Sequence, residues 1–81
     1  MIKNYRKKPI VIEAEQFFMN QPLPFRDRSA VAFDGENFYL ETMHKNQKVI
    51  LEDGDWVIPE PNGVNFYPCK PDVFEQTYEL I

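Results

Sequence analysis

From residue 30 onward the chain meets a turn signal every eight to ten residues, and that spacing most limits what it can fold into. Asp34-Gly35 and Asp53-Gly54 each separate apolar runs, "HKNQ" (44–47) is a polar break, and "EPNG" (60–63) is another. Asp-Gly between apolar runs favours tight hairpins, because glycine enters the left-handed backbone region without a steric cost. The intervening stretches "AVAF", "NFYLETM", "KVILE", "DWVIP" and "VNFYP" are too short for stable helices and rich in β-branched and aromatic residues. The expected fold class is therefore mainly β, a β-dominated α+β arrangement. It is a small curled antiparallel sheet or half-barrel of five to six strands with one short helical turn.

The flanking stretches fit the same frame. "IVIEAEQFF" (10–18) sets Ile10, Ile12 and Ala14 on one side and Glu13 and Glu15 on the other, the period of a strand with one wet face. Pro9 stands where a strand's first residue tolerates a missing donor. "NQPLPFRDRS" (20–29) has two prolines in three residues, which predicts an extended connection or loop. In "NFYPCKPDVFE" (65–75), Pro68 is expected to end a strand and Pro71 to open a helical turn over 71–76, with Asp72 near its positive end. Phe74 and Tyr78 are four apart, yet "TYELI" (77–81) alternates and predicts a last strand in the same sheet as residues 10–17. Alternation also turns Val64 and Phe66 inward and Tyr67 outward.

Eighty-one residues suffice for a single small domain, 1–81. A chain of this length buries only roughly 60% of its unfolded surface, so twelve aromatic residues must supply much of the core. One cysteine forbids an internal disulfide, and no apolar run exceeds five residues, so neither a signal peptide nor a membrane span is expected. The expected location is a cytoplasm. Charge is uneven: residues 1–8 carry Lys3, Arg6, Lys7 and Lys8 without an acid, while residues 49–81 carry seven acids against Lys70 alone. The net charge of −4 disfavours general nucleic-acid binding, which needs a basic footprint, and suits a basic patch on another protein.

Candidate chemistry is sparse. Cys69 has Lys70 beside it and His44 as the sole histidine, but Pro68 and Pro71 bracket it, and a small buried hydrophobe is the simpler role. One Cys and one His cannot close a zinc site, and "EDGDW" lacks the spaced ligands of a calcium loop and reads as a hairpin turn. Glu13 and Glu15 share a strand face, which an exposed sheet explains as well as acid–base chemistry does. Trp56 and Phe66 are expected in the core. No catalytic residues, metal or cofactor are expected. The binding candidates are Tyr67, Lys70 and Asp72 on the proline-stiffened corner, with Arg6, Lys7 and Lys8 as a phosphate-gripping start.

"YRKKPIVIEAEQF" and "GDWVIPEPNGVNFYPCKPDVFEQTYE" resemble a family of short proteins abundant in tailed-phage and prophage genomes. The matching positions are Tyr5 to Pro9, Gly54 to Ile58, Phe66 to Glu75, and Thr77 with Tyr78, roughly half the chain. Residues 19–52 depart from that pattern, as does "PEPNG", where the family has a shorter turn. The resemblance implies a small accessory protein of the bacterial host cytoplasm and carries no established activity with it. The expectation is a non-enzymatic protein that binds and inhibits a host bacterial protein. The alternatives are a binder that sequesters a nucleotide signal, a virion structural protein, and an enzyme built on Cys69. Homo-oligomerisation stays open, and no membrane partner is expected.

Overall fold

A computed structural model describes residues 1–6 and 8–81 of the chain. Among the described residues, the secondary structure is mainly β, with six strands in two antiparallel sheets and one seven-residue helix. The strands are β1 (Glu15–Gln16), β2 (Ala32–Phe33), β3 (Phe38–Glu41), β4 (Lys48–Ile50), β5 (Trp56–Pro59) and β6 (Phe66–Cys69), followed by α1 (Pro71–Thr77). The single curled sheet expected from the turn spacing is instead split into β1-β5-β6 and β2-β3-β4.

The second sheet is the meander that the turns predict. Asp34 stabilises the β2–β3 turn by accepting the backbone N–H groups of Glu36 and Asn37 at 2.9 and 2.7 Å, while Gly35 takes φ 96°. The β3–β4 turn closes with the Gln47 N–H donating to the His44 carbonyl, Lys45 and Asn46 both being left-handed. The Asp53-Gly54 turn does something else. It is not a hairpin, because it carries the chain from β4 in one sheet to β5 in the other. Gly54 has φ 93°, which favours glycine, while a Cβ there would meet the Pro71 ring at 3.5 Å, an ordinary contact.

Two expected strands are corrected. The predicted strand over residues 10–17 forms a ladder only at Glu15–Gln16, opposite Val57 and Trp56. Beyond it, Phe17 and the turn exchange bonds of 2.7 Å each, Phe17 N–H to the Asp55 carbonyl and Gly54 N–H to the Phe17 carbonyl. "TYELI" is not a strand: Thr77 completes α1, and residues 78–81 pair with no strand among the described residues. The helical spacing of Phe74 and Tyr78 outweighs the alternation, since their rings meet at 5.0 Å. Pro68 lies inside β6 rather than ending it, which an edge strand allows. The loop at 20–29 contains an unforeseen 3₁₀ turn, Arg26–Arg28, bracketed by left-handed Phe25 and Ser29.

The core lies between the sheets. Phe17, Leu40, Leu51, Val57 and Phe66 are buried together, with Leu23, Phe25 and Phe38 packed against them. Val57 and Ile58 are both fully buried although they point to opposite faces of β5. Phe66 is buried as alternation requires, whereas Val64 is 74% exposed in the turn before β6, not inward. The first sheet thus has the meander on one face and α1 on the other.

Candidate functional site

The corner between β6 and α1 is organised around one buried carboxylate. Asp55 is 2% exposed. It accepts the Glu52 backbone N–H at 2.9 Å and the Lys70 ammonium at 3.1 and 3.3 Å. Lys70 also reaches Glu52 at 3.3 Å. The hydrogen bond to Asp55, followed by the attraction of Asp55 and Glu52, raises the Lys70 pKa above its ordinary value. Lys70 therefore fastens the β4–β5 turn to the start of the helix. Asp53 serves the same turn, accepting the Met19 N–H at 2.7 Å. The acids of "EDGDW" are committed to the chain itself.

Tyr67 stands opposite Ile58 in the register, so it shares a sheet face with Ile58 and Trp56. That face is the one α1 covers. Tyr67 is half-buried, and its hydroxyl pKa is pushed up to about 12, first by burial and then by its hydrogen bond with Tyr78. Asp72 is exposed in the first turn of α1. Cys69 is half-buried at the end of β6, and burial, then the nearby charges of Asp55 and Asp72, push its thiol pKa up, which works against a thiolate. His44 sits in the β3–β4 turn, on the other sheet. Glu13 forms an ion pair with Arg28 at 3.0 Å, while Glu15 belongs to β1. At the N-terminus, Arg6 and Lys8 are exposed, and Lys7 lies outside the described residues.

The larger feature of this end of the molecule is an apolar groove of about 740 Å³. Its floor is aromatic: Trp56 of β5 and Phe74 of α1 stack at 4.1 Å with an interplanar angle of 7°, and Tyr78 continues the row. One wall is the segment 9–12 with Ala14, and the other is the chain from Thr77 to Ile81. Ile10, Val11, Leu80 and Ile81 are between 68% and 102% exposed there, and Glu75 and Glu79 add negative charge. The sequence signal for the floor was the four-residue spacing of Phe74 and Tyr78 directly after Pro71. For Asp55 no local signal distinguished it from the other six acids of the C-terminal part.

Chemically, the arrangement offers an open apolar trough over a stacked aromatic pair, with Lys8 preceding the wall residue Pro9 in the chain. No group of three or more potential metal ligands occurs among the described residues, and no described helix is long and apolar enough to cross a membrane. No family model, curated protein or solved structure matches the chain.

Proposed function

We propose that this chain is a non-enzymatic accessory protein of a phage or prophage, acting in the host cytoplasm by binding and inhibiting a bacterial protein. The observation that carries this is the groove. It presents exposed apolar side chains over a stacked aromatic floor, which is the composition of the anchor region of a protein interface. Contiguous apolar surface of this kind marks an interaction site more often than solvent-facing structure. The floor is held by β5 and α1, so little freedom is lost when a partner lands on it.

The same geometry weighs against nucleotide sequestration. Phe74 already occupies one face of Trp56, Lys70 is engaged by Asp55 and Glu52, and Glu75 and Glu79 would repel a phosphate at the groove. The test is capture from bacterial lysate with wild-type protein and with Leu80→Asp, a change at a fully exposed groove residue. A specific host protein should be retained by the wild type, lose its activity when bound, and be released by the variant at unchanged melting temperature. Equal retention by both proteins would remove the groove from the interface. Thermal stabilisation of the protein by nucleotides, with no protein captured, would favour sequestration instead.

A further inference from the structure

The N-terminal segment stands away from the packed body. Met1, Ile2, Tyr5, Ile10 and Val11 are each at least 68% exposed. The radius of gyration is 14.1 Å and the extents are 49 × 29 × 21 Å, whereas a chain of this length packed into one ordinary domain has a radius of about 12 Å. Residues 9–14 lead directly into β1. The order β1-β5-β6 leaves β1 at the edge of its sheet among the described residues. Natural edges are usually shortened, covered or interrupted by proline or charge. β1 itself is short and carries Glu15, with Glu13 beside it, but the apolar run Ile10, Val11 and Ile12 ahead of it has no ladder partner among the described residues and no proline between Pro9 and Pro22. The opposite edge, β6, carries Pro68 and is followed at once by α1.

We infer that the β1 edge is closed by a second copy of the chain. Two N-terminal segments pair antiparallel about a two-fold axis passing through residues 9–15, joining two three-stranded sheets into one of six strands. An isologous contact is the natural result when a single edge meets itself antiparallel. Charge selects this pairing over a parallel one. Antiparallel alignment about Ile10 and Val11 brings Arg6 and Lys8 of each segment opposite Glu15 and Glu13 of the other, Glu13 already holding Arg28, while parallel alignment sets like charges side by side. It also covers Ile10 and Val11, which otherwise remain in water.

This inference shares Ile10 and Val11 with the groove wall, but it is tested apart from the proposed function, on the purified full chain with no host protein present. Sedimentation velocity from micromolar to several hundred micromolar should show a species of twice 9.6 kDa. Its dissociation constant should rise as salt screens the opposed charges. Val11→Pro removes a backbone donor from the pairing segment and should raise the dissociation constant by roughly tenfold or more, with an unchanged far-ultraviolet spectrum. Because Val11 lies outside the core, that variant is expected to fold. As a second arm, Arg6→Glu with Lys8→Glu in one protein and Glu15→Lys in another should each weaken self-association, and mixing the two should restore a heterodimer. A wild type that stays monomeric throughout, a dimer indifferent to Val11→Pro, or an open-ended series of larger species would each overturn the inference.

Discussion

The two sheets are made of similar material and end in different surroundings. Each has three short antiparallel strands, an Asp-Gly turn at one end and an Asp–Lys ion pair nearby. In the first sheet, β5 is buried on both faces, and the carboxylate of the Asp55–Lys70 pair is buried with it. In the meander, Leu40 faces the core at 0% exposure while Ile50 on the outer side is 42% exposed. Its ion pair, Asp34 with Lys48, also lies at the surface. The difference comes from seven residues of helix: α1 covers the second face of one sheet, and among the described residues no helix covers that of the other. Alternation along a strand tells which side chains share a face, but the covering of a face is decided by an element elsewhere in the chain.

The sharpest way to break this comparison is to truncate one isoleucine in each sheet. Ile58→Ala should cost about 2–4 kcal/mol of unfolding free energy, because the cavity it leaves is enclosed on all sides. Ile50→Ala should cost about 0.5 kcal/mol or less, as for other surface changes. Equal losses in chemical denaturation would mean that the helix does not seal the first sheet.

Next in size is the contrast between the two acids. Asp55→Asn should cost about 1–3 kcal/mol, since the buried group loses its charge-assisted bond to Lys70. Asp34→Asn should change stability less, the charges being screened by water and salt, but it should alter the acid limb. Hydrogen bonds from Lys48, then from Asn37 and Glu36, hold the Asp34 pKa well below its ordinary 3.8. Its contribution is therefore complete above pH 3.8 and is lost as pH falls toward the lower folded value. Melting temperature followed from neutral to acid pH should fall less steeply in Asp34→Asn than in the wild type. Identical acid limbs would show that the pair contributes nothing in solution.

The smallest effect concerns Tyr67 beneath the helix. Its folded pKa of about 12 exceeds the ordinary 10.0, so the stability it adds is complete below pH 10.0 and disappears as pH rises through about 12. Lys70, raised by Asp55, loses its contribution in the same alkaline direction. Tyr67→Phe isolates the tyrosine: the variant should keep more of its stability over that window than the wild type does. Tyrosinate absorbance should also lose its last-titrating component. An unchanged alkaline limb would place Tyr67 in water and uncover that face.

The meander, its turns and the Pro71 start of α1 were legible in the sequence because each rests on local chemistry, an Asp-Gly pair or a proline at a first helical position. The split into two sheets was not, because Asp53-Gly54 has the same composition as a hairpin turn, and only the partner of β5 reveals that it is none. Tyr67 illustrates the limit for the site. Alternation set it opposite Phe66, correctly, but could not foresee that Tyr78 would lie across that second face. Lys70, chosen as a contact residue, is engaged by a carboxylate fifteen positions away. The groove was hidden for a related reason: the two ends of the chain were expected to share a sheet, whereas Thr77 ends a helix and residues 78–81 form no strand, so the two ends line a groove.

The pairing of Glu15 with Val57 gives the molecule an order of assembly. Hairpins such as β2–β3 and β3–β4 close short loops and form on the microsecond scale, whereas joining β1 to β5 must close a loop of some forty residues. The closure entropy grows only slowly with loop length, but it must be met before any contact of the first sheet rewards it. A preformed meander shortens that loop in effect, since its strands already fold the intervening chain back on itself. The N-terminal segment is then the last part to dock, and until it does, β5 presents a free edge. Conservative truncations in the meander, such as Val49→Ala, should slow refolding, while truncation at Phe17 should mainly hasten unfolding. Stopped-flow kinetics showing the reverse would mean that the long-range ladder nucleates the fold.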